Sequence, residues 1–371
     1  MANLDFSNFT APNFAINWED VKEAVRRLNM VLWRNFRDNE QLQNIVRIIP
    51  NQVNGKKVAI LHGFGLVGEA SDGCNMTYND SLTVNGENVW DIQEWQVAES
   101  VCYETLKGTL AQEILRSHTD VANVTGTYID DVLRPMLEQA IEEMLLRFAF
   151  FGDKNASEYD SVNNTSGTLQ PGTDPKFFNV IDGFWQQIFA GVSGNTITRT
   201  TISANAQTTI ALQRSAMYTS GVASGLMDTI LAEAPIELSQ ANDQVILVTK
   251  ALWDAVRHDV KVNNIGSEMQ FESWFGGIKK AEWDGVTVLC LPFMDKIITK
   301  FEQNNTNTGA YNMPYRAIYT VKDNLIVGTE SRDSYYQLDS WFDKTDQKNY
   351  ILAKDTIGAM ILDHSLIHVA Y

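Results

Sequence analysis

Gly63-Phe64-Gly65-Leu66-Val67-Gly68 is the stretch of this chain closest to a chemical motif: it follows the apolar run VAILH and matches the GxGxxG spacing of dinucleotide-binding loops. That chemistry needs a helix opening at the last glycine, so that its N-terminus meets a pyrophosphate, and an acidic residue about 20 positions further on. The continuation EASDGCNMTYNDS is full of helix breakers instead. The expected element is a turn within a β excursion. A dinucleotide-binding oxidoreductase using Gly63–Gly68 is kept as an alternative from a different functional class.

The remaining candidates for chemistry are weaker. His364 and His368 stand four apart, which on a helix would bring two imidazoles to one metal. Their surroundings read as a turn followed by a strand, where that spacing separates them by some 13 Å. Cys74, Cys102 and Cys290 lie far apart with no CxxC spacing, so neither a zinc site nor a disulfide framework is expected. No GxSxG elbow is present. Asp130 with Asp131, and Glu142 with Glu143, are adjacent carboxylates that diverge on a helix and suit a solvated face. The basic pairs Lys56-Lys57 and Lys279-Lys280 are too short for a nucleic-acid groove. Trp90, Trp95, Trp185, Trp253, Trp274 and Trp283 are read as core or interface residues. No catalytic residue, metal or cofactor is assigned.

What, then, would these residues be mounted on? The longest segment with one consistent period is Tyr128 to Asp153. Ile129, Val132, Leu133, Met136, Leu137, Ala140, Ile141, Met144, Leu145, Phe148 and Phe151 form a single apolar stripe at helical spacing. The spacing predicts a spine helix over 128–152, beginning or bending at Pro135 and stopped by Gly152. Before it, WEDVKEAVRRLNMVLWRNF is a short amphipathic helix behind a polar-aromatic tail, an arm that docks elsewhere. SLTVNGENVWDIQEW reads as a hairpin turning at Asn85-Gly86, and Ala98 to Leu115 reads as helical. After the spine come a polar loop (153–175), the aromatic segment FFNVIDGFWQQIFAG and a broad helical region from Ala204 to Ala234. QVILVTK, ALWDAVRHDVK and VTVLCLPFMD then give a βαβ-like pattern, with a turn at Asp284-Gly285 before the last. AIYTVKD and LIVGT add strands, and the end of the chain is β through YYQLDSWF, NYILAKDTIGAMILD and LIHVAY.

Composition bounds the reading. The chain has 371 residues, 44% hydrophobic and 20% charged, an ordinary globular mixture too long for one simple core. A net charge of −17 argues against a main surface that grips nucleic-acid backbone. MANLDFSNFTAPNF has neither a basic n-region nor an apolar h-region, and no apolar run is long enough to span a bilayer.

The order of these elements resembles the major capsid proteins of tailed bacteriophages. Local patterns carry the resemblance: Cys74 and Val101-Cys102-Tyr103 around the extended loop, Phe150-Phe151-Gly152-Asp153 ending the spine, Asn179-Val180-Ile181-Asp182-Gly183-Phe184 after the polar loop. Val248-Thr249-Lys250-Ala251-Leu252-Trp253 looks like a strand-to-helix step of the family. Gly285-Val286-Thr287-Val288 with Leu291-Pro292-Phe293-Met294-Asp295 looks like the strand that follows it.

The resemblance implies an α+β Hong Kong 97-type fold with an N-terminal arm (1–45) and an extended β loop (46–97). A peripheral domain (98–236) carrying the spine, an axial α/β domain (237–330) and a C-terminal β return (331–371) complete it. It further implies an icosahedral shell around double-stranded DNA, built by self-association as hexamers and pentamers, in a virion assembled in the bacterial cytoplasm. Portal and scaffold or decoration proteins would be partners, with DNA touched only weakly. Trp18, Lys57, Phe64, Asn85, Gly86, Trp90 and Trp95 are the expected inter-subunit residues. An encapsulin-like nanocompartment is the alternative within the same fold.

Overall fold

The computed structural model describes residues 45–64, 83–102, 134–159, 167–263, 272–273, 279–303, 309–330, 339–343 and 348–371. The predicted arm with Trp18, the glycines at 65 and 68, Cys74, Trp274 and the first turn of the predicted spine lie outside them. In chain order come strands β1 (Arg47–Ile49), β2 (Lys57–Phe64), β3 (Thr83–Val89) and β4 (Gln93–Cys102), then helices α1 (Arg134–Phe151) and α2 (Phe184–Ser193). Next are β5 (Thr198–Thr200), α3 (Ile210–Met217), α4 (Val222–Ala232), α5 (Ile236–Ser239), β6 (Gln244–Thr249) and α6 (Lys250–Asn263). β7 (Glu272–Ser273), β8 (Lys279–Trp283), β9 (Val286–Leu291), α7 (Pro292–Lys300), β10 (Ala317–Val321) and β11 (Leu325–Gly328) follow. β12 (Asp339–Asp343), β13 (Lys348–Ile361) and β14 (Ile367–Ala370) close the chain.

The chain divides into two compact units. The larger takes Gln41–Gln93, Arg147–Glu330 and Gly358–Tyr371. The smaller, among the described residues, holds β4 from Glu94, α1 up to Leu146, β12 and β13 up to Ile357. In it β12 pairs antiparallel with β13, from Asp339 opposite Leu352 to Asp343 opposite Lys348. The predicted helix over Ala98–Leu115 is corrected here: Ala98–Cys102 continues strand β4, and 103–115 is not described.

The larger unit is built on a seven-stranded sheet in the order β5-β14-β10-β6-β9-β8-β7. The βαβ expectation holds, since β6 and β9 are parallel with α6 between them. Val245–Thr249 are buried on both faces, as a central parallel strand requires. The turn Asp284-Gly285 joins β8 to β9, and both residues have positive φ (46° and 78°), the backbone of a two-residue type I′ hairpin.

The predicted strand VTVLCLPFMD stops at Leu291, because Pro292 opens α7 at a position where a missing N–H costs nothing. The sheet also reaches beyond residues 237–330: β5 and β14 join its edge, while Leu325–Gly328 leaves to pair with β1 and β13. The broad helical region 204–234 is broken in two at Gly221, whose φ of 81° no helix accommodates.

The spine is a helix over Arg134–Phe151, with Pro135 in its first turn. Its predicted stripe widens toward the C-terminus. Ala140 is exposed, whereas Phe148, Ala149, Phe150 and Phe151 are all buried, so the last turn is enclosed on every side. Phe150 meets Phe184 and Phe293 edge-on at 5.1 Å each.

The glycines that flank this aromatic cluster are explained by close backbone approach. A Cβ on Gly152 would lie 2.4 Å from the Ile181 carbonyl oxygen, and one on Gly183 would lie 2.8 Å from that of Ala149. Gly183 N–H donates to the Gly152 carbonyl at 2.9 Å. The Phe-Phe-Gly-Asp and Asp-Gly-Phe patterns are two halves of one contact.

Arg316 locks the same region. It is fully buried, donates Nη1 to Glu302 Oε1 (3.0 Å), Nη2 to Glu302 Oε2, Nη2 to the Asn312 carbonyl (2.9 Å) and Nε to the Met313 carbonyl (2.8 Å). Its guanidinium lies over the rings of Phe151, Trp185 and Phe189.

Candidate assembly interface

β2 and β3 form a two-stranded antiparallel sheet of their own, with Lys57 opposite Val89 and Leu61 opposite Asn85, and a register shift between Leu61 and Phe64. No third strand joins this ribbon among the described residues. At about 3.4 Å per residue it extends roughly 25 Å, and such a ribbon is marginally stable in water unless something packs on it. At its base Val53 and Val89 are 60% and 54% exposed.

The placement of the expected interface residues sharpens the picture. Lys57 is exposed at the ribbon base and pairs with Glu87 across the strands at 2.7 Å. That hydrogen bond and charge hold the Lys57 ammonium above its ordinary range. Phe64 ends β2 opposite Thr83. Asn85 and Gly86 are corrected: they are not a turn but sit inside β3, opposite Leu61 and Ile60, and neither has the positive φ a type I′ turn requires. The Asn-Gly signal is overridden by cross-strand pairing with a segment some 25 residues earlier. Trp90 and Trp95, read as core or interface, are core residues within the chain itself, at 1% and 6% exposure. Trp90 packs with Ile92, Ile326 and Met360.

Four residues at the ribbon root carry no signal of their role in the local sequence pattern of charge or periodicity. Asn88 donates Nδ2 to the consecutive carbonyls of Ile361 (2.9 Å) and Leu362 (2.7 Å). Asp91 forms an ion pair with Lys154 and accepts from Gln93 at 2.8 Å. Gly328 and Gly358 face each other across β11 and β13. A Cβ on Gly328 would lie 2.7 Å from the Trp90 ring, and one on Gly358 would lie 2.8 Å from the Asp91 carbonyl oxygen. The available signal was a glycine inside each of two strand-like runs, VGT and TIGAM, which marks close approach of something bulky.

The chemical alternatives do not converge. β2, whose last residues Gly63 and Phe64 open the glycine motif, pairs among the described residues with antiparallel β3 alone, whereas the dinucleotide loop follows a strand within a parallel sheet. Cys290 is fully buried, and burial pushes its thiol up to about 12, so it carries no thiolate near neutral pH. A cleft of about 310 Å³ beside Phe151, Asp153, Trp185 and Glu302 has no His, Cys or Ser in its lining. Among the described residues no group of three His, Cys, Asp or Glu is placed to hold a metal, and no helix is long and apolar enough to cross a membrane.

The two histidines are partnered separately. His364 Nδ1 lies 3.0 Å from Thr196 Oγ1. His368 is buried in β14, with Nδ1 2.6 Å from Thr198 Oγ1 and Nε2 2.9 Å from Thr200 Oγ1. Thr200 donates its hydroxyl to Glu233, so it accepts from His368, which places the ring proton on Nε2 and leaves Nδ1 to accept from Thr198.

Burial outweighs the nearby Glu233 carboxylate and lowers His368 to about 4. Asp295 shows the opposite behaviour: burial raises it to about 6, although it accepts from the Lys250 N–H and, at 2.8 Å, from the Ala251 N–H at the start of α6. Between about pH 6.5 and 4 the unfolded chain holds a proton on His368 that the folded chain does not, so acidification destabilises by on the order of 3 kcal/mol. Between about pH 6 and 3.8 the folded chain holds a proton on Asp295 that the unfolded chain does not, so acidification stabilises by a similar ~3 kcal/mol. The two slopes offset each other. Asp295→Asn should therefore make the melting temperature fall more steeply from pH 6 to 4, and His368→Gln should make it fall less or rise. Parallel pH profiles for the wild type and both variants would contradict this assignment.

No protein-family model and no curated protein matches the sequence. Solved structures do. A chain of the satellite phage P4 procapsid, including its size determination (Sid) protein, superposes over 92% of this chain and 97% of its own, with 12% identity and a TM-score of 0.51. A chain of Mycobacterium phage Ogopogo covers 88% of this chain and 89% of its own at 11% identity (TM-score 0.48). The SrpI encapsulin of Synechococcus elongatus covers 89% and 86% at 8% identity (TM-score 0.43). At these identities the likeness is one of architecture, and the procapsid chain carries it: this protein has the mixed α+β Hong Kong 97-type capsid fold.

Proposed function

We propose that this chain is the major capsid protein of a tailed bacteriophage, a structural subunit that self-assembles into the icosahedral shell around a double-stranded DNA genome. The observation that carries the reading is the shared fold with the P4 procapsid chain along nearly the full length of both. Two features support it: the β2–β3 ribbon, which lacks a third strand among the described residues, and the exposed Val53 and Val89 at its base. Lys57, Phe64, Asn85 and Gly86 on the ribbon, with Trp18 in the arm, are the residues assigned to contacts between subunits, while Trp90 supports the ribbon from inside.

In this reading residues 46–97 are the extended loop, 98–236 the peripheral domain and 237–330 the axial domain. Subunits associate as hexamers and pentamers, and closed symmetry multiplies many modest interfaces into a stable particle. Portal and scaffold or decoration proteins complete the partners, and assembly takes place in the bacterial cytoplasm before the shell becomes the virion capsid. With a charge of −17 the chain is suited to enclose DNA through weak, counterion-mediated contact.

Negative-stain microscopy of the purified protein tests the proposal. Closed shells or capsomer rings are expected, and a protein that stays monomeric at every concentration and salt tried would overturn it. Shells filled with a protein cargo rather than DNA, when isolated from the native source, would point to a nanocompartment instead.

A further inference from the structure

We infer that the ribbon is aimed by its root: Asn88 and the facing glycines Gly328 and Gly358 fix the angle at which β2 and β3 leave the subunit, and that angle selects the size of the shell. The inference rests on the shell reading and concerns how the same interface is controlled.

The ladder of the ribbon does not end where its strands end. Gly55 N–H donates to the Trp90 carbonyl at 2.8 Å, and Trp90 N–H donates to the Lys56 carbonyl at 2.9 Å. Trp90 is thus the last rung of the ribbon and also a core residue at 1% exposure. Its ring fills the space left by the missing side chain of Gly328, and the Asp91 backbone fills that left by Gly358. Ile92 N–H is held by Asn54 Oδ1 at 3.2 Å. These contacts fix the root but not its rotation.

Rotation is fixed two residues before Trp90. Asn88 uses both protons of one amide on two successive carbonyls, those of Ile361, the last residue of β13, and of Leu362 just after it. Two bonds from one planar group resist twisting and tilting together. The Asp91–Lys154 ion pair braces the root from another direction. A ribbon of about 25 Å turns a tilt of roughly 10° at its root into about 4 Å at its far end, more than a hydrogen bond or a packed side chain tolerates. Small changes at Asn88 should therefore redirect every contact the ribbon makes.

Wild type and Asn88→Ala are assembled side by side and compared by cryo-electron microscopy, with the melting temperature of the unassembled subunit measured for each. The variant keeps Trp90 in its slot, so its melting temperature should stay within a few degrees of wild type. Its particles should lose the single wild-type diameter and give mixed sizes and open sheets. Variant shells with the wild-type diameter and ribbon angle would overturn the inference while leaving the shell reading intact. A wild type that builds no shells would instead overturn the shell reading itself. Should Asn88→Ala fail to fold, Lys154→Gln, which removes only the partly exposed brace, must broaden the same size distribution, and an unchanged distribution counts against the inference.

Discussion

A chain in which Ile60–Gly86 is replaced by two glycines should purify as a folded, soluble subunit that makes no closed shells. The cut points follow from the register: Ala59 and Glu87 are cross-strand partners, so a two-residue link closes the shortened ribbon without moving either strand. Everything the subunit needs from this region lies past the cut. Asn88 keeps its two carbonyl partners, and Trp90 and Ile92 stay in the core with Ile326 and Met360. A deletion running on to residue 93 would remove that core as well and confuse misfolding with failed assembly. The expected outcome is a melting temperature within a few degrees of wild type and loss of essentially all closed particles. Complete shells seen by electron microscopy would remove the ribbon from the interface.

Arg316→Met should be the most damaging single substitution to the subunit itself. It leaves the Glu302 carboxylate, 14% exposed, without the fork that satisfies both of its oxygens, and it strips a cation from three aromatic faces. Removing one partner of a buried ion pair costs about 3 to 5 kcal/mol, because the surviving charge stays desolvated. Arg316→Lys should recover little, since one ammonium cannot span two carboxylate oxygens and two backbone carbonyls at these distances. Arg316→Met combined with Glu302→Gln should recover much of the loss, since no charge is then stranded. Denaturant unfolding of the three variants checks the order. A double variant no more stable than Arg316→Met alone would assign the loss to the aromatic contacts instead.

Much of the larger unit was legible because its signals are local. The run VILVT, the amphipathic ALWDAVRHDV and the Asp284-Gly285 turn each specify their element within a few residues, and each is found where expected. The failures are non-local. Asn85-Gly86 has the composition of a turn, yet its partners in β2 make it strand. Ala98–Cys102 has helical spacing, but its neighbour is β13, some 250 residues later, which no local pattern announces.

The candidate site shows the same division. Lys57 and the ribbon could be found from a strand followed by a break in periodicity. Asn88, Gly328 and Gly358 could not, because their meaning comes from the Trp90 ring and from two carbonyls at the other end of the chain. The type of Trp90 leaves core and interface equally open, since a large aromatic residue serves either, and only its neighbours place it in the core.

Strand β14 sits between β5 and β10, with His368 beside both Thr198 and Tyr319. Until those four residues have been synthesised, the Ala317–Val321 strand has one open edge and Thr198–Thr200 has no neighbour in the sheet. The partners they wait for lie 170 positions downstream in the case of Thr198. Closing so distant a pair is slow, and an open edge invites a strand from another nascent chain. The rate at which competent subunits appear should therefore be set by this late insertion, and crowding or heat during synthesis should divert chains to aggregates before any shell contact can form.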